Sequence, residues 1–238
     1  MDSLHWANLN CEIKFNHTKK MYFGRYLWRL EYKIEGAYLI TDTRANDISS
    51  YVLDQIEFEK YRTSYAYHYA SYRTKRDWTL LDIPLLEKIR HIRNSNKDSI
   101  RFRIEGDHVQ LFTETEDELK KFSEMIGCYN LVSLTYPRPG TEDALRNGSV
   151  YMSAKTTFKY KVMLKDGEYS RDVKRRLLTQ LNANPDVKVP NQLHNMLRKD
   201  YSYMWNCYFY ANDEGITTML SLISPGIVGK IHPIEHHQ

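Results

Sequence analysis

The sequence of 238 residues predicts an α+β protein made of two units with the same order of elements. Strand-like alternation and helix-like spacing of apolar residues follow each other along most of the chain. Residues 201–234 repeat the pattern of a stretch that lies 97 positions earlier. Hydrophobic residues make up 42% of a chain long enough to bury a sizeable core. We therefore predict two units.

The repeat covers a strand, a helix and a closing strand in the same order. It rests on pattern more than on identity. The matched positions are Phe112 and Phe209, Leu119 and Ile216, Phe122 and Met219, Ile126 and Ile223, and Leu134 and Ile231.

The first unit is expected to start after a polar lead-in, residues 1–24, in which residues 11–15 are a candidate short strand. Residues 25–34 alternate in polarity and predict a strand. Residues 37–79 are interpreted as an insertion, with a helix over 48–61. The tyrosines of the basic stretch 60–78 fit both helical and strand spacing, so its structure stays open.

The rest of the first unit carries clear local signals. Residues 80–93 place apolar side chains on one helical face, and residues 100–113 predict a hairpin that turns at Gly106 and Asp107. Thr115-Glu116-Asp117-Glu118 is a capping box at the start of the next helix. A closing strand follows over 131–136. The unit is predicted to span residues 25–140.

A connector over residues 141–155 separates it from the second unit, residues 156–238. There, residues 157–165 alternate as a strand, and Ser170 is placed to cap the next helix. Leu193, Met196 and Leu197 predict a short second helix. Residues 201–234 then read as a strand, an Asn-capped helix, a Ser-Pro-Gly stop and a strand.

Each unit thus reads strand, helix, strand, strand, helix, strand. This order resembles the ferredoxin-like superfold and, within it, the RNA-recognition-motif type of module. The resemblance implies two antiparallel sheets, each with its helices on one face. It rests on element order, because the family signature K/R-G-F/Y-G/A-F-V-x-F/Y has no counterpart in DHVQLFTE or NCYFYAND.

The helix-free face of each sheet is expected to be basic, with an aromatic residue on the third strand. The resemblance implies that Phe112 and Phe209 stack on bases and that nearby cations hold phosphates. A net charge of +4 permits such a partner. The predicted contact residues are Arg29, Lys33, Arg62, Arg73, Lys75, Arg76, Arg101, Arg103, Phe112, Lys159, Lys161, Arg171, Lys174, Arg175, Phe209 and Lys230.

Two groups in this set have their own argument. Arg62, Arg73, Lys75 and Arg76 lie among the tyrosines of the insertion, which becomes an additional contact surface. Arg171, Lys174 and Arg175 crowd the first turns of a helix, where the helix dipole disfavours cations. An anionic ligand or partner surface, or a neighbouring carboxylate such as Asp172, would compensate them.

We therefore predict a non-enzymatic protein that binds RNA or single-stranded DNA. One alternative is an interaction or assembly protein, including one of viral origin, whose 19 tyrosines bind an acidic or other protein surface. A lower-ranked alternative is a metal-independent endoribonuclease, because tandem ferredoxin-like units resemble the CRISPR repeat-processing endoribonucleases. His5, His17 or His68 would then be the general acid/base. Ordinary solvated strands explain the basic faces equally well.

Other classes find no support in the sequence. Three cysteines at wide spacing predict neither a disulfide framework nor a zinc site, and they fit a cytoplasmic location, that of the host if the source is viral. We expect no metal, cofactor, signal peptide or membrane segment. The oligomeric state is left open.

Overall fold

The computed structural model of the protein describes residues 6, 12–43, 47–62, 78–128, 130–152, 156–199 and 203–236. The chain divides into two compact units, residues 1–18 with 22–139 and residues 19–21 with 140–238. Within the described ranges, strand pairs are antiparallel except for one at the edge of each five-stranded sheet. Helices are interspersed with these strands, which confirms the α+β class.

The first unit contains a five-stranded sheet in the order β1-β5-β2-β4-β3. Its strands are β1 (Lys14–His17), β2 (Trp28–Lys33), β3 (Arg101–Glu105), β4 (His108–Thr113) and β5 (Leu131–Tyr136). Its helices are α1 (Ile48–Arg62), α2 (Ile83–Ser95) and α3 (Glu116–Ile126), with 3-10 turns at Ala37–Ile40 and Trp78–Leu80.

Alternation along β2 and β4 gives this sheet one helix-covered face. Leu30 and Leu111 are directly opposite each other and fully buried. Their neighbours Arg29 and Phe112 form the next pair, whose side chains point to the other face. Helix α3 packs against β2 and β4.

Local signals in the first unit act as the sequence predicts. The hairpin turns at Gly106, which has φ 59°, a conformation that glycine adopts without steric cost. The capping box is complete, because the Thr115 hydroxyl accepts from the Glu118 amide and the Glu118 carboxylate accepts from the Thr115 amide. Helix α2 starts at an Asp82 cap that accepts from the Leu85 amide.

The second unit has a sheet in the order β6-β12-β7-β11-β9 and a separate β8–β10 ribbon. Its strands are β6 (Val150–Met152), β7 (Tyr160–Leu164), β8 (Gly167–Glu168), β9 (Val187–Lys188), β10 (Tyr203–Met204), β11 (Tyr208–Ala211) and β12 (Val228–His236). Its helices are α4 (Glu142–Arg146), α5 (Arg171–Ala183), α6 (Asn191–Arg198) and α7 (Gly215–Ile223).

The core of the second unit lies between this sheet and its helices. Val162 of β7 and Phe209 of β11 are fully buried there, together with Leu177 and Leu181 of α5 and Leu220 of α7. The helices therefore cover the face to which Val162 and Phe209 point. As predicted, the Ser170 hydroxyl caps α5 by accepting from the Val173 amide.

Two segments expected to be polar connections contain sheet strands. Residues 1–24 include β1, which overlaps the candidate strand at residues 11–15 and joins the sheet, and Trp6 in the same stretch is buried, with its indole 3.1 Å from Glu116. Residues 141–155 include α4 and β6. Both β1 and β6 are short edge strands, parallel to the last strand of their unit, and such short segments give little alternation to detect.

The second unit also departs from expectation in two connections. The short helix predicted from Leu193, Met196 and Leu197 is confirmed as α6, but the second sheet strand before it, β9, has only two residues, where the first unit has a hairpin. Helix α7 has Glu214 at its N-cap position and no side-chain cap, so the predicted Asn cap is wrong. The amide of Asn212 instead donates to the Asp186 carbonyl, which ties this turn to the β9 side of the sheet.

None of the helices in the described ranges combines the length and the apolar character needed to cross a membrane.

Candidate nucleic-acid interface

The helix-free face of the second sheet carries two neighbouring tyrosines. Tyr208 and Tyr210 are partly exposed on β11, while Phe209 and Ala211 between and after them are buried. Tyr210 pairs with Lys161 of β7 on one side and with Lys188 of β9 on the other. Directly paired residues share a sheet face. We call Tyr208, Tyr210, Phe158, Lys161 and Lys188 the tyrosine face.

Side chains of the tyrosine face contact one another. The Lys161 ammonium lies 3.9 Å from the centre of the Tyr208 ring. The rings of Tyr208 and Tyr210 meet edge to face at 5.5 Å between centroids. Phe158 stacks on Tyr210 at 6.3 Å between centroids, with an interplanar angle of 29°. This row of three rings with a cation at one end suits the faces of unpaired bases.

The ionisation of these groups reflects their partial burial. Burial, together with a hydrogen bond to Tyr208 and the charge of that phenol, raises the pKa of Tyr210 to about 12. Burial and the nearby charge of Lys20 lower the pKa of Lys161. A carboxylate beside Lys161 would act in the opposite direction.

Further basic groups surround the tyrosine face. His232 of β12 pairs with Lys161, and its Nδ1 lies 2.7 Å from the Gly148 carbonyl oxygen. Lys159 and Lys230, both predicted contacts, are exposed at the start of β7 and on β12. Together with Lys161 and Lys188 they provide several cations around three aromatic rings.

The helix-free face of the first sheet has a different composition. Phe112 lies on this face, as predicted, but it is 2% exposed because the turn around Tyr22 and Phe23 covers it. Both rings contact Phe112 at 5.0 Å between centroids. Phe23 is the exposed aromatic here, and the Arg101 guanidinium lies 5.1 Å from its ring centre.

Carboxylates offset the predicted cations of the first sheet. Glu31 lies 3.7 Å from Arg29 and 3.1 Å from His108. Burial raises the pKa of Glu31, but hydrogen bonds from neighbouring side chains and the charge of Arg29 outweigh it, so the net shift is downward. Arg103 pairs with Glu105 on the edge strand. Lys33 is exposed at the end of β2.

The predicted stacking role of both phenylalanines conflicts with their burial. Phe209 is on the helix side of its sheet, fully buried in the core, and Phe112 is covered by the Tyr22–Phe23 turn. A ring with no exposed face cannot stack on a base. The prediction for Phe209 is wrong by one position along β11, because successive side chains of a strand point to opposite faces. Tyr208 and Tyr210 occupy the expected position instead.

The cations at the start of α5 fall into two groups. Lys174 is 2% exposed, and its ammonium donates to the carbonyls of Met196 at 3.4 Å and Lys199 at 3.2 Å. It stabilises the C-terminal end of α6 and is inaccessible to a ligand. Arg171 and Arg175 are exposed, and Arg175 is 2.8 Å from Asp172. The compensating carboxylate anticipated from the sequence is therefore present.

The contacts predicted in the insertion fall beyond what the structure describes. Arg62 lies at the end of α1, but its side chain is not described, and Arg73, Lys75 and Arg76 are outside the described residues. The same holds for His5 and His68. His17 is partly buried on β1, edge to face with the Tyr136 ring at 4.9 Å. Burial and the charge of Arg138 lower its pKa.

Sequence reasoning missed Tyr208, Tyr210, Phe158, Tyr22 and Phe23 as surface aromatics. Along β11, with sequence YFYA, the two tyrosines point to one face, and Phe209 and Ala211 point to the other. The more apolar set, Phe209 and Ala211, is the buried one. That signal was available. Among the described residues, no group of three or more His, Cys, Asp or Glu side chains is arranged to hold a metal ion.

None of the known protein families, curated proteins or solved structures with which the chain was compared matches it.

Proposed function

We propose that this protein binds single-stranded nucleic acid, RNA or single-stranded DNA, and that it does so without catalysis. The observation that carries the proposal is the tyrosine face, where three contacting aromatic rings lie beside the ammonium of Lys161. Aromatic rings stack on unpaired bases of any sequence, and cations hold the intervening phosphates. A duplex hides its base faces, so it is the poorer ligand.

We also infer that each unit is ferredoxin-like, with one added edge strand. The orders β5-β2-β4-β3 and β12-β7-β11-β9 support this inference, because they place equivalent strands in the same positions of both sheets. In modules of the RNA-recognition type, the first and third strands are central and bind the nucleic acid. Strands β7 and β11 hold those positions in the second unit, and they carry Lys161, Tyr208 and Tyr210.

The second unit is the stronger site in this proposal. Its cations Lys161, Lys188 and Lys230 lie around exposed rings, whereas Glu31 and Glu105 offset the arginines of the first sheet. Electrostatic attraction contributes most of the affinity of non-specific complexes, and stacking adds to it. The first unit would contribute weaker contacts through Phe23 and Arg101.

The basic tyrosine-rich insertion remains part of the proposal as an additional contact surface. So does a cytoplasmic location. Cys207 is a free thiol, as is usual in a reducing compartment.

A salt titration of binding tests the proposal. We would measure the fluorescence anisotropy of labelled oligouridine and oligodeoxythymidine, each of about eight nucleotides, a length within the usual site sizes of such binders. The expected result is binding at low ionic strength that weakens linearly with salt on a logarithmic scale. Absence of binding at low ionic strength would contradict the proposal, because electrostatic attraction is greatest there.

A protein-binding function is the second candidate, and exposed apolar residues favour it. Trp205 is 53% exposed, Tyr203 on β10 is 49% exposed and Leu222 on α7 is 83% exposed. Aromatic residues of this kind are enriched in protein interfaces. If sedimentation shows a concentration-dependent oligomer that Trp205→Ser dissociates, this surface joins copies of the chain. A monomer at all concentrations would remove self-association from this candidate.

A further inference from the structure

Next to the tyrosine face, a cleft of about 510 Å³ opens at the β9 edge of the second sheet. Its lining comes from β9, from the end of α5, from the start of α6 and from Phe158 before β7. Small-molecule sites in proteins have volumes of roughly 300–1,000 Å³. The cleft is therefore large enough for one nucleotide.

The lining combines an apolar part with polar groups, none of which is acidic. Phe158, Val187 and Val189 provide apolar surface, whereas Lys188, Asn191 and His194 provide donors. None of the residues assigned to the cleft carries a carboxylate. Apolar walls suit the face of a base, amides suit its hydrogen-bonding edge and a lysine suits its phosphate. A cationic or purely apolar ligand would leave these groups unused.

The cleft is continuous with the tyrosine face through two shared residues. Phe158 lines the cleft and also stacks on Tyr210 at 6.3 Å. Lys188 lines the cleft and pairs with Tyr210 across β11 and β9. A strand that leaves the Tyr210 ring in this direction therefore reaches the cleft without crossing another element.

We propose that the cleft binds one nucleotide of a single strand whose neighbouring bases lie on Tyr208 and Tyr210. This inference rests on the proposed function and names the place where the bound strand leaves the sheet. The face and the cleft together form one path, with the cleft as a distinct subsite that a longer strand reaches and a short one does not.

The test fills the cleft from two walls. Asn182 on α5 and Asn191 on α6 line it with exposed side chains, so Asn182→Trp and Asn191→Trp each place an indole in the space of the base. Asn195→Trp is the matched control, because Asn195 is exposed on the same helix, one turn further along, and does not line the cleft. Thermal melting of all three variants verifies that they fold.

Affinity is then measured for oligouridines of increasing length. For wild type and Asn195→Trp, we expect the affinity to increase by about fivefold or more at the strand length that first reaches the cleft. An increase of this size is what one additional stacked base contributes. Both filled variants should lose that increase and keep the affinity for shorter strands. In addition, 4-thiouridine at the strand end should cross-link to peptide 187–194 in wild type and not in either filled variant.

Three outcomes would overturn the subsite. Unchanged length dependence in both filled variants, with normal binding, refutes the cleft and leaves the tyrosine face intact. Absence of oligouridine binding to any protein refutes the tyrosine face and the cleft together. Binding of an oligoglutamate peptide that the filled variants abolish, with no change for oligouridine, assigns the cleft to an acidic protein segment instead.

Discussion

The ammonium of Lys161 lies 3.9 Å from the centre of the Tyr208 ring, on the face of the second sheet that the helices leave uncovered. Burial and the charge of Lys20 lower the pKa of this lysine. The ring attracts the cation and holds it beside the aromatic row. A phosphate at this point would meet a cation that is already positioned and only partly hydrated.

We expect Lys161→Gln to weaken binding of oligouridine at low salt. If the lysine contacts one phosphate, the slope of log affinity against log salt should become shallower by about 0.7, the value for one contact on a single strand. Arg176→Gln is the control, since Arg176 is exposed on α5, on the helix side of the sheet. An unchanged slope for Lys161→Gln would mean that this lysine touches no phosphate.

Lys174 is expected to act on stability and not on binding. Its ammonium donates to carbonyls at the end of α6, and Lys174→Met removes the donor while keeping an apolar stem. Leaving buried carbonyls without a donor costs about 1–3 kcal/mol of unfolding free energy. Urea unfolding measures the loss.

Arg175→Met, one residue away and exposed, should change the unfolding free energy by less than about 0.5 kcal/mol. Equal stability of the Lys174→Met variant and wild type would contradict the structural role. A loss of oligouridine affinity in the folded Lys174→Met variant would support the nucleic-acid contact that the sequence predicts for Lys174.

The contrast between Lys174 and Ser170 explains what sequence can reveal about this fold. Ser170 caps α5 through atoms within three residues of itself, so its role can be predicted from local spacing. Lys174 bonds to carbonyls more than 20 residues away, and its spacing is that of a solvated basic face. Contacts between distant segments leave no local pattern.

Contacts between distant segments also explain why the prediction for Phe112 fails differently from that for Phe209. The sequence places Phe112 on the correct face, but the turn that covers it comes from residues 22–25, about 90 positions earlier, a distance over which no pattern extends. On β11, one alternating set is Tyr208 and Tyr210 and the other is Phe209 and Ala211, so polarity separates the two sets only weakly. The match with Phe112 in the repeat favours Phe209 as the residue on the helix-free face. The connection from β11 to α7 is longer than the connection from β4 to α3. Equivalent positions of the repeat on β4 and β11 therefore point to opposite faces of their sheets.

Tyr210 should titrate at unusually high pH. Its pKa is raised from 10.0 to about 12, so between these values the folded state keeps a proton that the unfolded state has lost. The contribution of Tyr210 to the unfolding free energy is therefore fully present below pH 10 and is lost as pH rises towards 12.

A difference titration of phenolate absorbance between wild type and Tyr210→Phe checks this prediction. It should contain a component near pH 12. A component at the ordinary pH of 10 would show that Tyr210 is fully hydrated and lacks the contact with Tyr208.

Glu31 should contribute to stability at neutral pH and lose that contribution in acid. The net shift of its pKa is downward from 4.5, so the unfolded state takes up the proton first as pH falls. The stability from this group is present above pH 4.5 and is lost as pH falls through the lower folded pKa.

In Glu31→Gln, the unfolding free energy should therefore fall less steeply below pH 4.5 than in wild type. Glu57→Gln, an exposed substitution on α1, serves as the control for a changed net charge. Parallel acid unfolding curves for wild type and Glu31→Gln would show that the contacts of Glu31 with Ser133, Arg29 and His108 do not favour its charged form.

The proposal that the tyrosine face binds nucleic acid depends most on its two central rings. The most direct measurement compares oligouridine affinity, at low salt, of wild type, Tyr208→Ala/Tyr210→Ala and Tyr203→Ala. Tyr203 is the matched control, because it is 49% exposed and belongs to the separate β8–β10 ribbon, not to the sheet that carries this face. We expect a loss of about 1–3 kcal/mol of binding free energy for each stacked base in the double variant and no loss in the control. Equal affinity of all three folded proteins would contradict the proposal.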